Sequence, residues 1–203
     1  MAMGRTVTDT TASAYELRFD AGRICLDLLA TATPHPGEKL DSVEVLHAWI
    51  TGSGLVPPGT PLTHADASWL VGFRELRGHI GRLVHGRLSP TTPPYDRSLA
   101  RVNELARTAP PAPRALRRED GTLVRELDPP EYSALLGAIA RDTVELLTDP
   151  VARASLRQCE GDNCPIVYVD SSRGRRRRWC SSEVCGNRER VARHRRRAAL
   201  ARA

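Results

Sequence analysis

The sequence predicts a mainly α-helical chain with small β-hairpins, divided into a helical N-terminal domain and a compact C-terminal module built around four cysteines. Three observations carry this reading. Apolar residues recur at helical spacing in four stretches of the first 150 residues, and proline-rich breaks separate them. Cys159 and Cys164 sit five apart, as do Cys180 and Cys185, which is metal-ligand spacing. Charge is unevenly divided: residues 1–150 hold sixteen basic and nineteen acidic side chains, net −3, whereas residues 151–203 hold fourteen and five, net +9. Codon composition in a GC-rich genome could supply the arginine excess, but not this asymmetry. A basic tail on a mildly acidic body points to an arm that binds nucleic acid or another acidic surface.

A chain of 203 residues, 40% hydrophobic, can bury one main core and a small appended module. Residues 1–14 are small, polar and threonine-rich, without the apolar stretch of a signal peptide, and are expected to be disordered. The regulatory body then spans 15–150 and the C-terminal module 151–203. No run of about eighteen apolar residues occurs, so no membrane span is expected. With no export signal, the paired cysteines fit metal binding in a reducing cytoplasm better than disulfides.

The body opens on Ile24–Leu29, a dense apolar cluster interrupted by Asp27. Cys25 has no partner at ligand spacing and reads as core. Leu40–Ile50 is a helix capped by Asp41 or Ser42, with Val43, Leu46, Trp49 and Ile50 inward and Gly52 and Gly54 at its end. Thr63 is the expected cap of a longer helix to Leu88, whose apolar face is Trp69, Phe73, Leu76, Ile80, Leu83 and Val84. His79 and His85, six apart, are poorly spaced for one metal on one helix. Pro90–Pro94 breaks the chain, Tyr95–Ala106 forms another helix, and Pro110–Pro113 breaks it again. The pair Asp120-Gly121 between two apolar runs predicts a two-residue β-hairpin. Tyr132–Leu147 is a core helix through Leu135, Leu136, Ile139, Val144 and Leu147, and Asp149-Pro150 starts a short one leading to Cys159.

In the C-terminal module, four thiolates would close a tetrahedron around one zinc ion and leave no open position, the mark of a structural site. The turn-formers Glu160-Gly161-Asp162-Asn163 make a knuckle between Cys159 and Cys164. Ile166–Val169 is β-branched and aromatic, Asp170–Gly174 a turn, and Arg175–Trp179 a returning strand, so a hairpin is expected there. Ser181 or Ser182 would cap a helix beginning at Glu183, with Cys185 in its first turn. Together these make a treble-clef-like four-cysteine zinc finger. On the helix, Val184, Val191 and Ala198 recur at seven-residue intervals and are expected to pack on the hairpin, with Arg190, Arg193 and Arg197 opposite, flanked by Arg196.

Two jobs suit the arginines. Arg175, Arg176, Arg177 and Arg178 could compensate a zinc–thiolate cluster of net charge about −2. However, alternate side chains of a strand face opposite ways, so only half the run can do so. The rest, with the helical arginines, form an electrostatic footprint for a polyanion. Trp179 either packs beside the cluster or stacks on a base.

The run Tyr168–Arg173, then Arg178-Trp179-Cys180-Ser181, then Cys185-Gly186-Asn187-Arg188 resembles the CGNR zinc finger. That resemblance implies that Cys159, Cys164, Cys180 and Cys185 bind zinc and that the module binds DNA. The body resembles the ABATE domain, a regulatory module usually found ahead of such fingers, through Leu26–Thr31, the helix with Leu46 and Trp49, and Phe73–Arg77. That family usually has Asn where this chain has Ala30.

A DNA-binding transcription regulator is therefore the expected function, with the body as sensor or dimerisation module. Two alternatives stay open: a zinc-stabilised module binding an acidic protein partner, and an RNA-binding protein. Asp27 could cap or pair locally, or face a pocket. Arg74 and Arg77 could lie on a solvated helix face, or bind an acidic small-molecule effector beside Asp27. A homodimer would supply the base contacts that one small finger lacks. No phosphate-binding glycine loop, Gly-x-Ser-x-Gly elbow or His-Glu-x-x-His helix occurs, so no enzyme is expected.

Overall fold

The computed structural model describes residues 17–32, 38–88 and 95–200. The expected disorder of residues 1–14 and the break at 90–94 lie outside them. Chain order is α1 Ile24–Leu29, α2 Val43–Gly52, α3 Ala67–Leu88, α4 Tyr95–Ala106, β1 Pro113–Arg117, β2 Leu123–Leu127, α5 Tyr132–Thr148, α6 Pro150–Ala154, β3 Leu156–Gln158, β4 Val167–Val169 and α7 Cys185–Leu200.

The long helix α3 forms the centre of the body and packs against α1, α2, α4 and α5. Its stripe Phe73, Leu76, Ile80, Leu83 and Val84 is fully or almost fully buried. Each such side chain contributes about 1.5–3 kcal/mol relative to exposure. Trp49 from α2 meets Phe73 edge-on, with ring centroids 5.9 Å apart and planes at 73°. Gly72 makes room for α5: a Cβ there would collide with the Tyr132 hydroxyl, so a larger residue would displace that ring.

Local chemistry starts each helix. Ser42 caps α2 by accepting the Val45 N–H at 3.3 Å. The long helix begins later than the expected Thr63 cap, because Asp66 accepts the N–H groups of Ser68 (2.8 Å) and Trp69 (3.3 Å). An acid one residue before the helix outcompetes a threonine further upstream. In α1 the preceding residue, Arg23, makes no side-chain cap. Asp142 of α5 accepts the Cys25 N–H at 2.9 Å across the core instead.

β1 and β2 pair antiparallel from Pro113↔Leu127 to Arg117↔Leu123. The connection is wider than the expected two residues. Gly121 N–H bonds the Arg118 carbonyl at 2.9 Å, Arg118 N–H bonds Thr122, and Gly121 sits at φ +84°. A turn followed by a left-handed glycine is the common three-residue hairpin loop.

The finger's hairpin also differs from expectation. β4 pairs with β3, in the register Leu156↔Val169 to Gln158↔Val167, and not with Arg175–Trp179. The knuckle therefore lies at the tip of a hairpin whose strands precede and follow it. Residues 175–179 run back without strand structure, tied by Tyr168 Oη donating to the Arg177 carbonyl (2.6 Å) and Glu160 N–H to the Arg178 carbonyl (2.9 Å). Short apolar runs do not specify their partner, and closure of the knuckle by Cys159 N–H on the Ile166 carbonyl sets Leu156–Gln158 beside β4 although Arg175–Trp179 is nearer along the chain.

Candidate metal centre and nucleic-acid interface

Cys159 closes β3 and donates its N–H to the Ile166 carbonyl at 2.9 Å, shutting the hairpin around the knuckle. Within the knuckle, Cys164 N–H bonds the Gly161 carbonyl at 3.1 Å, and Asn163 takes φ +56°. Asparagine is among the few residues that accept the left-handed region readily. Cys180 follows the returning arginine run and Cys185 is the first residue of α7. The helix starts two residues later than expected, because Ser181 Oγ accepts from Val184 N–H at 3.2 Å and closes a turn ahead of it.

This brings all four ligand atoms within 4.8 Å of one another. Cys164 and Cys180 sulfurs lie 3.8 Å apart, and Cys180 and Cys185 sulfurs 3.6 Å. A tetrahedron with Zn–S of about 2.3 Å requires S···S of about 3.8 Å. The donor set therefore fits one zinc ion, held by Cys159, Cys164, Cys180 and Cys185, with no vacant position for substrate. Cys159, Cys180 and Cys185 are buried and Cys164 is half-exposed, and all four are free of disulfides.

Backbone donors already point at the sulfurs. Gly161 N–H (3.4 Å) and Cys180 N–H (3.3 Å) both bond Cys159 Sγ. As thiols the group shares protons unequally: the hydrogen bond from Cys180 holds Cys164 well below the usual thiol range and pushes Cys180 up. Arg18 donates to Cys180 Sγ at 3.7 Å from the far end of the chain and also pairs with Asp20. Sequence reading missed Arg18, because nothing local marks a contact across 162 residues. Asp170 was missed too, although it is 1% exposed. Its carboxylate accepts from Ser172 N–H and Arg177 N–H, each at 3.0 Å, and so shapes the return of the arginine run. The Asp170-Ser171-Ser172 spacing, which suits an Asx-turn, was the available signal.

The eight arginines singled out from the sequence divide. Arg177 turns inward: Nε bonds the Trp179 carbonyl at 2.8 Å, a terminal nitrogen bonds the Asp20 carbonyl at 3.4 Å, and the guanidinium lies 4.6 Å from the Tyr168 ring centroid. Arg178 pairs with Glu160 at 2.6 Å and covers Trp179, which is half-buried beside the cluster. Arg196 pairs with Glu189 at 3.0 Å. Arg190 makes only long contacts of 3.5 Å to Ser182 O and Asn187 Oδ1. Arg175, Arg176, Arg193 and Arg197 are exposed, and none forms an ion pair among the described residues. The expected stripe divides: Val184 packs against the core, whereas Val191 is 45% exposed. Among the described residues of α7, Cys185 and Gly186 are the buried ones, so the finger touches the side of the helix where they lie.

The third group from the sequence also separates. Asp27 is 7% exposed and accepts the Ala21 N–H at 3.0 Å; burial pushes its carboxyl up to about 7. Arg77 bonds Thr31 Oγ1 at 2.9 Å and pairs with Glu38, and Arg74 bonds the Leu40 carbonyl and approaches Glu38 at 3.8 Å. Burial opposes ionisation of Glu38, yet the hydrogen bond from Arg77 holds its carboxyl below the usual range. Among the described residues no hydrogen bond or ion pair joins Asp27 to either arginine. Instead, both arginines clamp the chain between α1 and α2 onto α3. His79 is a satisfied core histidine against Ser98 Oγ at 3.2 Å.

Body and finger meet where Val169 N–H bonds the Ala21 carbonyl at 2.9 Å and α1 packs near β4. Fold and site together define a helical protein carrying a four-thiolate zinc finger. Comparison with known families agrees in both parts: residues 22–150 match the ABATE model, described as "Putative stress-induced transcription regulator", and residues 155–198 match the CGNR zinc finger. The chain belongs to the ABATE family and carries a CGNR zinc finger. A search of curated proteins finds no match. Among the described residues no helix is long and apolar enough to cross a membrane.

Proposed function

We propose that this protein is a DNA-binding transcription regulator of the cytoplasm that catalyses no reaction. One observation carries the reading. A closed four-sulfur site anchors the first residue of α7, and the helix then projects with the exposed guanidiniums of Arg190, Arg193 and Arg197. Arg175 and Arg176 of the returning segment are exposed as well and add to the module's positive charge. Zinc, when bound, supplies structural closure; the arginines make the contacts. Guanidiniums binding phosphates release counterions, so affinity falls steeply with salt. Phosphate contacts alone position the protein, and sequence is read only where a side chain reaches a base edge.

Fluorescence anisotropy of a labelled DNA duplex, titrated with full-length zinc-loaded protein over a range of salt, tests this. With about five phosphates engaged, the log–log salt slope is expected near −4 to −5. Salt-independent behaviour together with tight capture of an acidic protein would replace the reading with a protein-interaction module.

A further inference from the structure

The helix α7 carries arginines around more of its circumference than a single flat contact can use. At about 100° per residue, Arg190 and Arg197 share one line along the helix, and Arg188 and Arg195, also seven apart, share another. The two lines are about 160° apart. Between them runs a third stripe, Asn187, Val191, His194 and Ala198, at spacings of four, three and four.

The structure says which way this stripe faces. Cys185 and Gly186 are buried against the finger, and Glu189 continues their side of the helix, half-buried with its carboxylate paired to Arg196. Asn187, Val191 and His194 lie on the opposite side and are exposed. Glu189 is the one acid in α7, so the outward stripe and both arginine lines beside it carry none. Val191, 45% exposed, has water where the sequence expected a packing partner.

We infer that α7 lies within the major groove of B-form DNA, with Asn187, Val191, His194 and Ala198 toward the base edges, and with Arg190 and Arg197 on one phosphate backbone and Arg188 and Arg195 on the other. This rests on the nucleic-acid reading above and deepens it. The major groove is about 12 Å wide and admits an α-helix with a phosphate wall on each side. A flat acidic protein surface could meet only one of the two arginine lines. The floor chemistry also fits: an asparagine amide can bond adenine in bidentate fashion, and a valine methyl can contact the thymine methyl. A-form duplex RNA has a major groove too deep and narrow for side chains to read, so the same helix is expected to favour DNA.

The test uses full-length zinc-loaded protein, a labelled random-sequence DNA duplex, and four variants, Arg188→Ala, Arg190→Ala, Arg195→Ala and Arg197→Ala. Alanine has the highest helix propensity, so α7 persists in each, and zinc content confirms the finger. All four are expected to make the log–log salt slope shallower by about 0.9, the loss of one phosphate contact. Dimethyl sulfate footprinting is expected to show guanine N7 protected, since that atom faces the major groove. If Arg188→Ala and Arg195→Ala leave the slope unchanged while Arg190→Ala and Arg197→Ala shift it, or if adenine N3 is protected in place of guanine N7, the groove placement is overturned and nucleic-acid binding stands. If the parent protein shows no salt-dependent binding to the duplex, both readings fall together.

Discussion

In the body, Leu26, Trp49, Phe73, Ile80, Leu83 and Leu135 are fully buried, whereas among the described residues the finger's buried apolar side chains are Leu156, Ile166, Val167, Tyr168 and three of its four cysteines. The first region holds together by removing apolar surface from water. The second has too little such surface for a stable core of its own, and its closed site substitutes for one. The difference teaches where each region is vulnerable: the body to cavities and buried charge, the finger to anything that takes its sulfurs.

The largest expected effect is metal removal. Structural zinc contributes on the order of 10 kcal/mol to a small module, so a chelator should abolish amide protection in β3, β4 and the first turn of α7 and leave α3 and α5 protected. Hydrogen exchange on the full chain reads both at once. Loss of protection in α3 as well would mean that the two regions form one cooperative unit.

Next in size is the response to pH, where the two regions have opposite signs. In the unfolded chain Asp27 titrates near 3.9, and in the folded protein burial pushes it up to about 7. Between those values the folded state keeps a proton that the unfolded state has released. Its stabilising effect is therefore complete below about pH 4 and lost as pH rises through about 7. Asp27→Asn keeps an acceptor for Ala21 N–H and removes the titration. Near pH 8 the body should gain on the order of 2–4 kcal/mol over the parent by urea unfolding. An unchanged pH profile would show that Asp27 is not the group responsible. The finger runs the other way, since its ligands bind metal as thiolates and gain affinity as pH rises.

The smallest effect lies at the junction. Arg18 belongs to the body's N-terminal segment yet donates to Cys180 Sγ. Partners of metal ligands typically affect metal affinity by about 10–100-fold, and Arg18→Ala is expected at the lower end because three other cysteines still hold the ion. Competition with a chromophoric chelator measures it. No change in affinity would make the contact mere packing and the two regions energetically independent.

Much was legible without coordinates. Helices α2, α4 and α5 start and stop close to where capping residues and prolines put them, because those signals act within a turn of the chain. The four cysteines were recognisable because ligand spacing is a local property. Contacts distant in sequence were not. The strand that pairs with β4, the inward turn of Arg177 against Tyr168 and Asp20, and the hold of Arg74 and Arg77 on Leu40, Thr31 and Glu38 all depend on which elements meet.

By itself, then, the sequence determined the helical class, the metal-ligand set and the crowding of positive charge at one end, since each is written in periodicity, spacing or count. Tertiary structure decided which arginines are tied up and which are exposed, which side of α7 faces outward, and that Arg18 reaches a metal ligand. Those outcomes rest on packing between residues far apart in the chain, where a side chain's partner is chosen by the fold and not by its neighbours in sequence.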